Sequence, residues 1–205
     1  MSRRIGIYSG SFNPIHHGHL MLANYLVAFS DLDELWFVVS PQNPLKNKED
    51  LMDDRDRLKM VELAIGDDPR MKASDIEFSM PQPSYTINTL RALSDRYPDD
   101  RFVFICGMDS LQGLPRWREY QSILEGYELL VFPRKGYDGG ELLHHPHVKV
   151  LETPVIEVSS TFIRNCMKEG KDVRHFMPEK AYKYLVEEVR RQKTEDRRQK
   201  TEDRR

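Results

Sequence analysis

The chain has 205 residues, 39% of them hydrophobic and 31% charged, with a formal net charge of −2. That length suits one α/β domain with a small appendage, and the near-balanced charge gives no broad basic surface for nucleic acid. No apolar run approaches the roughly 20 residues of a membrane-spanning helix, the start lacks the apolar stretch of a secretory leader, and two cysteines build no disulfide framework, so a cytoplasmic protein is expected. In chain order, residues 5–8 read as a strand, 20–29 as a helix and 35–39 as a strand. Residues 54–65 have helical spacing through Leu58, Met60, Val61 and Leu63. A weaker strand is expected at 71–78, a helix at 86–97, strands at 102–105, 129–132 and 148–151, and helices at 161–168 and 178–191. Strands alternating with helices predict an α/β fold: a Rossmann-like, doubly wound parallel sheet with helices on both faces. Such sheets bind ligands beyond the carboxyl ends of their strands.

Two segments stand apart. Residues 41–53 are polar and long for a simple connection, which reads as a functional loop. Residues 192–198, Gln-Lys-Thr-Glu-Asp-Arg-Arg, recur at 199–205. A seven-residue period with no apolar residue has no seam to bury, so a charged, frayed helix or disordered tail is expected outside a main domain of residues 1–191.

The most informative stretch is Gly10-Ser11-Phe12-Asn13-Pro14-Ile15-His16-His17-Gly18-His19, between the first strand and the first helix. An α/β sheet places an anion-binding turn there. Gly10 lets the backbone turn beside a ligand, Ser11 can donate a hydroxyl, and the amides of Phe12 and Asn13 can face a phosphate. The stretch is neither a Walker A loop nor Gly-x-Gly-x-x-Gly. His16 and His19 lie three apart and can face one pocket. Together with the helix dipole they are expected to make a local positive field, with Gly18 leaving room for the phosphate. The same spacing also occurs in zinc sites and in buried structural histidines. Only His17 is close enough to add a ligand, and His144, His145 and His147 sit in a glycine- and proline-containing loop, so no resident metal site is expected.

A second anion site is expected where Ser159, Ser160, Thr161 and Phe162 lead into a helix with Arg164 one turn in. Lys46 in the long loop and Arg134 after the strand at 129–132 are further cations for phosphate. Gly107 and Asp109 follow the strand at 102–105, where a carboxylate can accept from a ribose hydroxyl. Tyr85 and Thr86 open a helix, with Ser84 or Thr86 as its expected cap, and Trp117 offers a flat face for a planar ring.

On these motifs the chain resembles the His-x-Gly-His nucleotidyltransferase superfamily, and is most similar to bacterial nicotinate-nucleotide adenylyltransferases, out to about residue 188. Ser11 stands where relatives often have threonine, Asn13 where they have aspartate, and Leu45 where histidine is common. The resemblance implies transfer of the adenylyl group of ATP to nicotinate mononucleotide, giving nicotinate adenine dinucleotide and pyrophosphate in NAD biosynthesis, with Mg2+ delivered on ATP. It implies His16, His19, Lys46 and Arg164 as the catalytic set. Gly10, Ser11, Phe12, Asn13, Gly107, Asp109, Arg134 and residues 159–162 would hold ATP and its phosphates. The pyridine ring would stack on Trp117, with its carboxylate met by amides around Tyr85 and Thr86. The expected partners are these small molecules, with neither nucleic acid nor membrane, and with monomer and homo-oligomer both open.

Overall fold

The computed structural model describes residues 2–42, 51–154 and 156–202. Six strands form one sheet: β1 (Arg4–Gly10), β2 (Glu34–Val39), β3 (Met71–Ser74), β4 (Arg101–Gly107), β5 (Glu128–Phe132) and β6 (Val148–Val150). Their order is β3-β2-β1-β4-β5-β6 and every neighbouring pair is parallel. This is the Rossmann-like doubly wound order, whose winding reverses between β1 and β4 and opens a crevice there.

Both faces of the sheet are buried, so its central strands read as near-continuous apolar runs. The period of two sorts them. Leu35, Phe37, Val39, Val103, Ile105 and Leu130 face one core with α1 (His17–Phe29), α2 (Asp54–Ile65), α6 (Ser160–Lys168) and α7 (Glu179–Glu202). Trp36, Val38, Phe102, Phe104, Leu129 and Val131 face the other with α3 (Thr86–Arg96), α4 (Met108–Gly113) and α5 (Tyr120–Gly126). Full burial of each such side chain contributes roughly 1.5–3 kcal/mol before the cost of ordering it.

Five differences from the sequence reading follow. The strand expected at 71–78 ends at Ser74, and Ile76–Ser79 forms a 3-10 turn that carries Glu77 inward to take the hydroxyl of Ser40 at 2.6 Å. The first helix begins at His17 rather than residue 20, because polar His-Gly-His positions carry no apolar period. Helices α4 and α5 went unmarked, being six and seven residues long and separated by a turn with Pro115. Neither Ser84 nor Thr86 caps α3: Tyr85 holds that position without a side-chain cap, and the Ser84 hydroxyl goes to Gln82. Helix α7 continues past residue 191 as one helix to Glu202.

Candidate active site

A cavity of about 1170 Å³ opens at the carboxyl ends of β1, β4 and β5. Single-ligand sites usually span roughly 300–1,000 Å³, so it has room for two substrates side by side. Gly10, Ser11, Phe12, Asn13, His16, His19, Gly107, Asp109, Arg134, Ser159, Ser160, Thr161 and Arg164 line it together with Tyr85, Thr86 and Trp117. Lys46 lies outside the described residues.

The turn after β1 is tightly packed. Phe12 adopts a left-handed φ of 42°, costly for a non-glycine residue. A Cβ on Gly10 would press on the Phe12 ring at 3.1 Å, so Gly10 is small to admit that ring. Phe12 then packs edge-on to Phe37 and His19. Arg164 donates to the Asn13 carbonyl at 2.8 Å, and the Ser160 hydroxyl donates to the Pro14 carbonyl at 2.9 Å. Helix α6 is thereby fastened across the turn.

The imidazoles of His16 and His19 are stacked, with centroids 3.7 Å apart. The backbone N–H of His16 donates to His19 Nδ1 at 3.2 Å. An Nδ1 that accepts carries no proton, so the proton of His19 sits on Nε2. His16 is 4% exposed, and its Nδ1 is buried without a hydrogen-bond partner among the described residues. Burial, then the charge of Arg134, then His17 push its pKa down to about 4. The expected positive field of two imidazoles is therefore corrected: His16 is neutral near pH 7, and the accepting Nδ1 of His19 belongs to the neutral ring. Fixed positive charges on the cavity wall include the guanidiniums of Arg164 and Arg134. Gly18 is also corrected: a Cβ there would come within 3.0 Å of the His16 ring, so the space it leaves is filled by that ring.

The second motif divides by role. Ser159 caps α6, its hydroxyl accepting from the Phe162 N–H at 3.2 Å. Phe162 is not among the cavity-lining residues; its ring is 44% exposed and meets Phe176 edge-on. On the opposite wall, Arg134 Nε lies 3.4 Å from Asp109 Oδ1. A Cβ on Gly107 would collide with that carboxylate, so glycine there is what lets Asp109 fold back beside Arg134. At the far end, the α3 start has no side-chain cap. Trp117 is half-buried edge-on to Phe104, and the Arg118 guanidinium sits 5.0 Å from the Tyr85 ring.

Two wall groups, Glu77 and Tyr8, and one residue beneath the wall, Arg57, had not been marked. Glu77 is 2% exposed and takes hydroxyls from Ser40, Thr89 and, at 3.4 Å, Ser9. Tyr8 is packed among Phe12, His19, Phe37 and Phe132, and burial pushes its phenol up. Arg57, 1% exposed, lies beneath the turn. The signal for Arg57 was legible: it sits three and four residues before Met60 and Val61, on the inner helical face. Cys106 also lines the cavity, but burial and then Asp109 push its thiol up to about 12, which removes it as a nucleophile.

No group of three or more His, Cys, Asp and Glu side chains that could hold a metal ion occurs among the described residues, and no described helix is long and apolar enough to cross a membrane.

The family model described as cytidylyltransferase-like matches residues 7–166. A Flavobacterium johnsoniae protein named probable nicotinate-nucleotide adenylyltransferase is 48% identical over 184 residues, covering 89% of this chain and 95% of that one. A Bacteroides fragilis protein of the same name is 47% identical, covering 91% and 92%. Among solved structures, the Plasmodium falciparum nicotinic acid mononucleotide adenylyltransferase complexed with NaAD superposes with a TM-score of 0.77 at 20% identity, over 90% of this chain and 95% of that one. The chain belongs to the cytidylyltransferase-like family, in the branch of its nicotinate-nucleotide adenylyltransferase relatives.

Proposed function

We propose that this protein transfers the adenylyl group of ATP to nicotinate mononucleotide, forming nicotinate adenine dinucleotide and pyrophosphate in NAD biosynthesis. The carrying observation is that one cavity joins the stacked histidine pair and Arg164 to the uncapped start of α3 and Trp117. The first end suits a triphosphate and the second a planar, anionic ring. The phosphate oxygen of the mononucleotide attacks the α-phosphorus of ATP in line, the bond to the β-phosphate breaks, and pyrophosphate departs. Little covalent help is needed; oriented reactants and donors aimed at the developing charge supply the rate. His19 gives its Nε2 proton as a hydrogen bond to the α-phosphate, and His16 packs behind it. Arg164, Ser11, Lys46, the turn amides and those of residues 160 and 161 hold the phosphates; the Phe162 amide, expected there as well, is taken by the Ser159 cap. Gly107, Asp109 and Arg134 hold the adenosine side.

Among the described residues, the carboxylates on the cavity wall have partners: Glu77 takes hydroxyls, Asp109 lies 3.4 Å from Arg134 and Glu157 3.1 Å from Lys135. That donor set suits a divalent cation carried on the triphosphate better than a resident ion, and Mg2+ is the cation we assign. Bound that way, it neutralises charge on the leaving pyrophosphate. Residues 1–191 form the nucleotidyltransferase unit, with 192–205 a charged extension of it.

Incubating the protein with ATP and each of nicotinate mononucleotide, nicotinamide mononucleotide and phosphopantetheine, while following pyrophosphate, tests the reading. Release is expected to be fastest with nicotinate mononucleotide. Faster release with either other acceptor would overturn the acceptor, and none with any would overturn the activity. Trp117→Ala is expected to raise KM for the mononucleotide roughly tenfold, through loss of about 1–2 kcal/mol of ring contact. KM for ATP should stay within about twofold; an equal rise in both would remove the stacking role.

A further inference from the structure

Among the described residues, Arg57 makes four hydrogen bonds, all to backbone carbonyls and none to a carboxylate. Nη1 donates to Ser11 at 2.8 Å and to Ser40 at 2.7 Å, Nη2 to Pro41 at 3.1 Å, and Nε to Met52 at 2.9 Å. These carbonyls belong to three segments: the turn after β1, the end of β2, and the residues entering α2. A buried guanidinium is expensive, and an apolar side chain at this inner-face position would pack at lower cost. Packing alone does not account for it.

The turn supplies the reason. The Ser11–Phe12 peptide is trans, so its carbonyl and the Phe12 N–H point in opposite directions. With the carbonyl held on Arg57, the Phe12 N–H is turned away from the interior. On the other side of Phe12, Arg164 holds the Asn13 carbonyl. The left-handed φ of Phe12 is thus pinned between two guanidiniums, and Ser11, Phe12 and Asn13 all line the cavity. Asn13 Oδ1 adds a tie by accepting from the Met52 N–H at 3.2 Å.

We propose that Arg57 is a positioning residue for the ATP phosphates: it turns the Phe12 amide toward the anion site and fixes the end of β2 and the entry to α2 against that turn. The inference rests on the proposed binding of ATP. It goes beyond the catalytic set, because Arg57 acts on substrate only through the backbone.

The test compares wild type with Arg57→Lys, which keeps the charge but not the planar fork. Calorimetry measures ATP affinity without turnover, and initial rates give both KM values and kcat. Arg57→Lys is expected to remain folded and to bind ATP about tenfold more weakly, as befits partial loss of charge-assisted bonds. KM for the mononucleotide should stay within about twofold. Unchanged ATP affinity in folded Arg57→Lys overturns the proposal, as does equal weakening for both substrates with a lowered Tm. If Arg57→Lys does not fold, Arg57→Gln is measured in the same way. Failure of both to fold makes Arg57 merely structural and also overturns it. A wild type that binds ATP yet releases no pyrophosphate with any acceptor would sink the proposed reaction and leave this comparison intact. A wild type that binds no ATP sinks both.

Discussion

His19→Asn is expected to lower kcat by about 10²–10³ while Tm and KM for ATP change little. The magnitude is that of removing one preorganised donor from a developing charge. Asparagine is the informative replacement because His19 has two jobs. Its Nδ1 accepts the His16 N–H at the entrance to α1, and in the proposed reaction its Nε2 offers a proton to the phosphate. The carbonyl oxygen of asparagine can keep the first contact, while its shorter amide gives up the second. His19→Ala loses both and should add a loss of stability of about 1 kcal/mol, the usual cost of removing a helix-entry side-chain bond. A fall confined to kcat is the signature of an interaction made in the transition state. Steady-state rates with ATP and nicotinate mononucleotide, beside thermal melts, separate the cases. Full turnover in His19→Asn would end the donor role.

The fold was legible because a sheet buried on both faces writes its strands as apolar blocks, and blocks such as 35–39 and 129–132 survive in any register. What escaped notice depended on partners distant in sequence. Glu77 interrupts a run that otherwise reads as strand, and only contact with Ser40 and Thr89 from two other elements turns it inward. The site was legible to the level of residue type. His16, His19 and Arg164 do converge, since a strand–turn–helix at a winding reversal leaves them little choice. Their chemical state was not legible. A motif with two histidines beside a helix start reads as positive, yet burial of one ring and a backbone donor to the other favour neutral imidazoles. Sequence spacing cannot report either effect. Nor can it report that the hydroxyls of Ser159 and Ser160 are engaged in building the site, one capping α6 and the other bonded to Pro14.

His16 should also make the protein sensitive to acid in a definite pH window. Its ordinary pKa of 6.5 falls to about 4 in the folded state, first through burial and then through Arg134 and His17. Above pH 6.5 the ring is neutral both folded and unfolded and contributes no pH dependence. Between about 6.5 and 4 the unfolded chain binds a proton that the folded chain refuses, so stability falls as pH falls. Below about 4 both states are protonated and the slope from this group vanishes. The loss across the window is of the order of 3 kcal/mol at 1.36 kcal/mol per pH unit, a large share of the stability of an ordinary domain. Carboxylates held by arginines, such as Asp100 beside Arg3, also lower stability in acid, so wild type alone does not isolate the effect. His16→Gln does, because glutamine cannot titrate. Urea unfolding of both proteins from pH 4 to 7.5 should show the variant less stable near neutrality, through lost packing. The gap should then narrow by about 3 kcal/mol toward pH 4. Parallel curves across the window would show that His16 gains its proton as easily folded as unfolded, and the neutral, buried ring behind His19 would have to be abandoned.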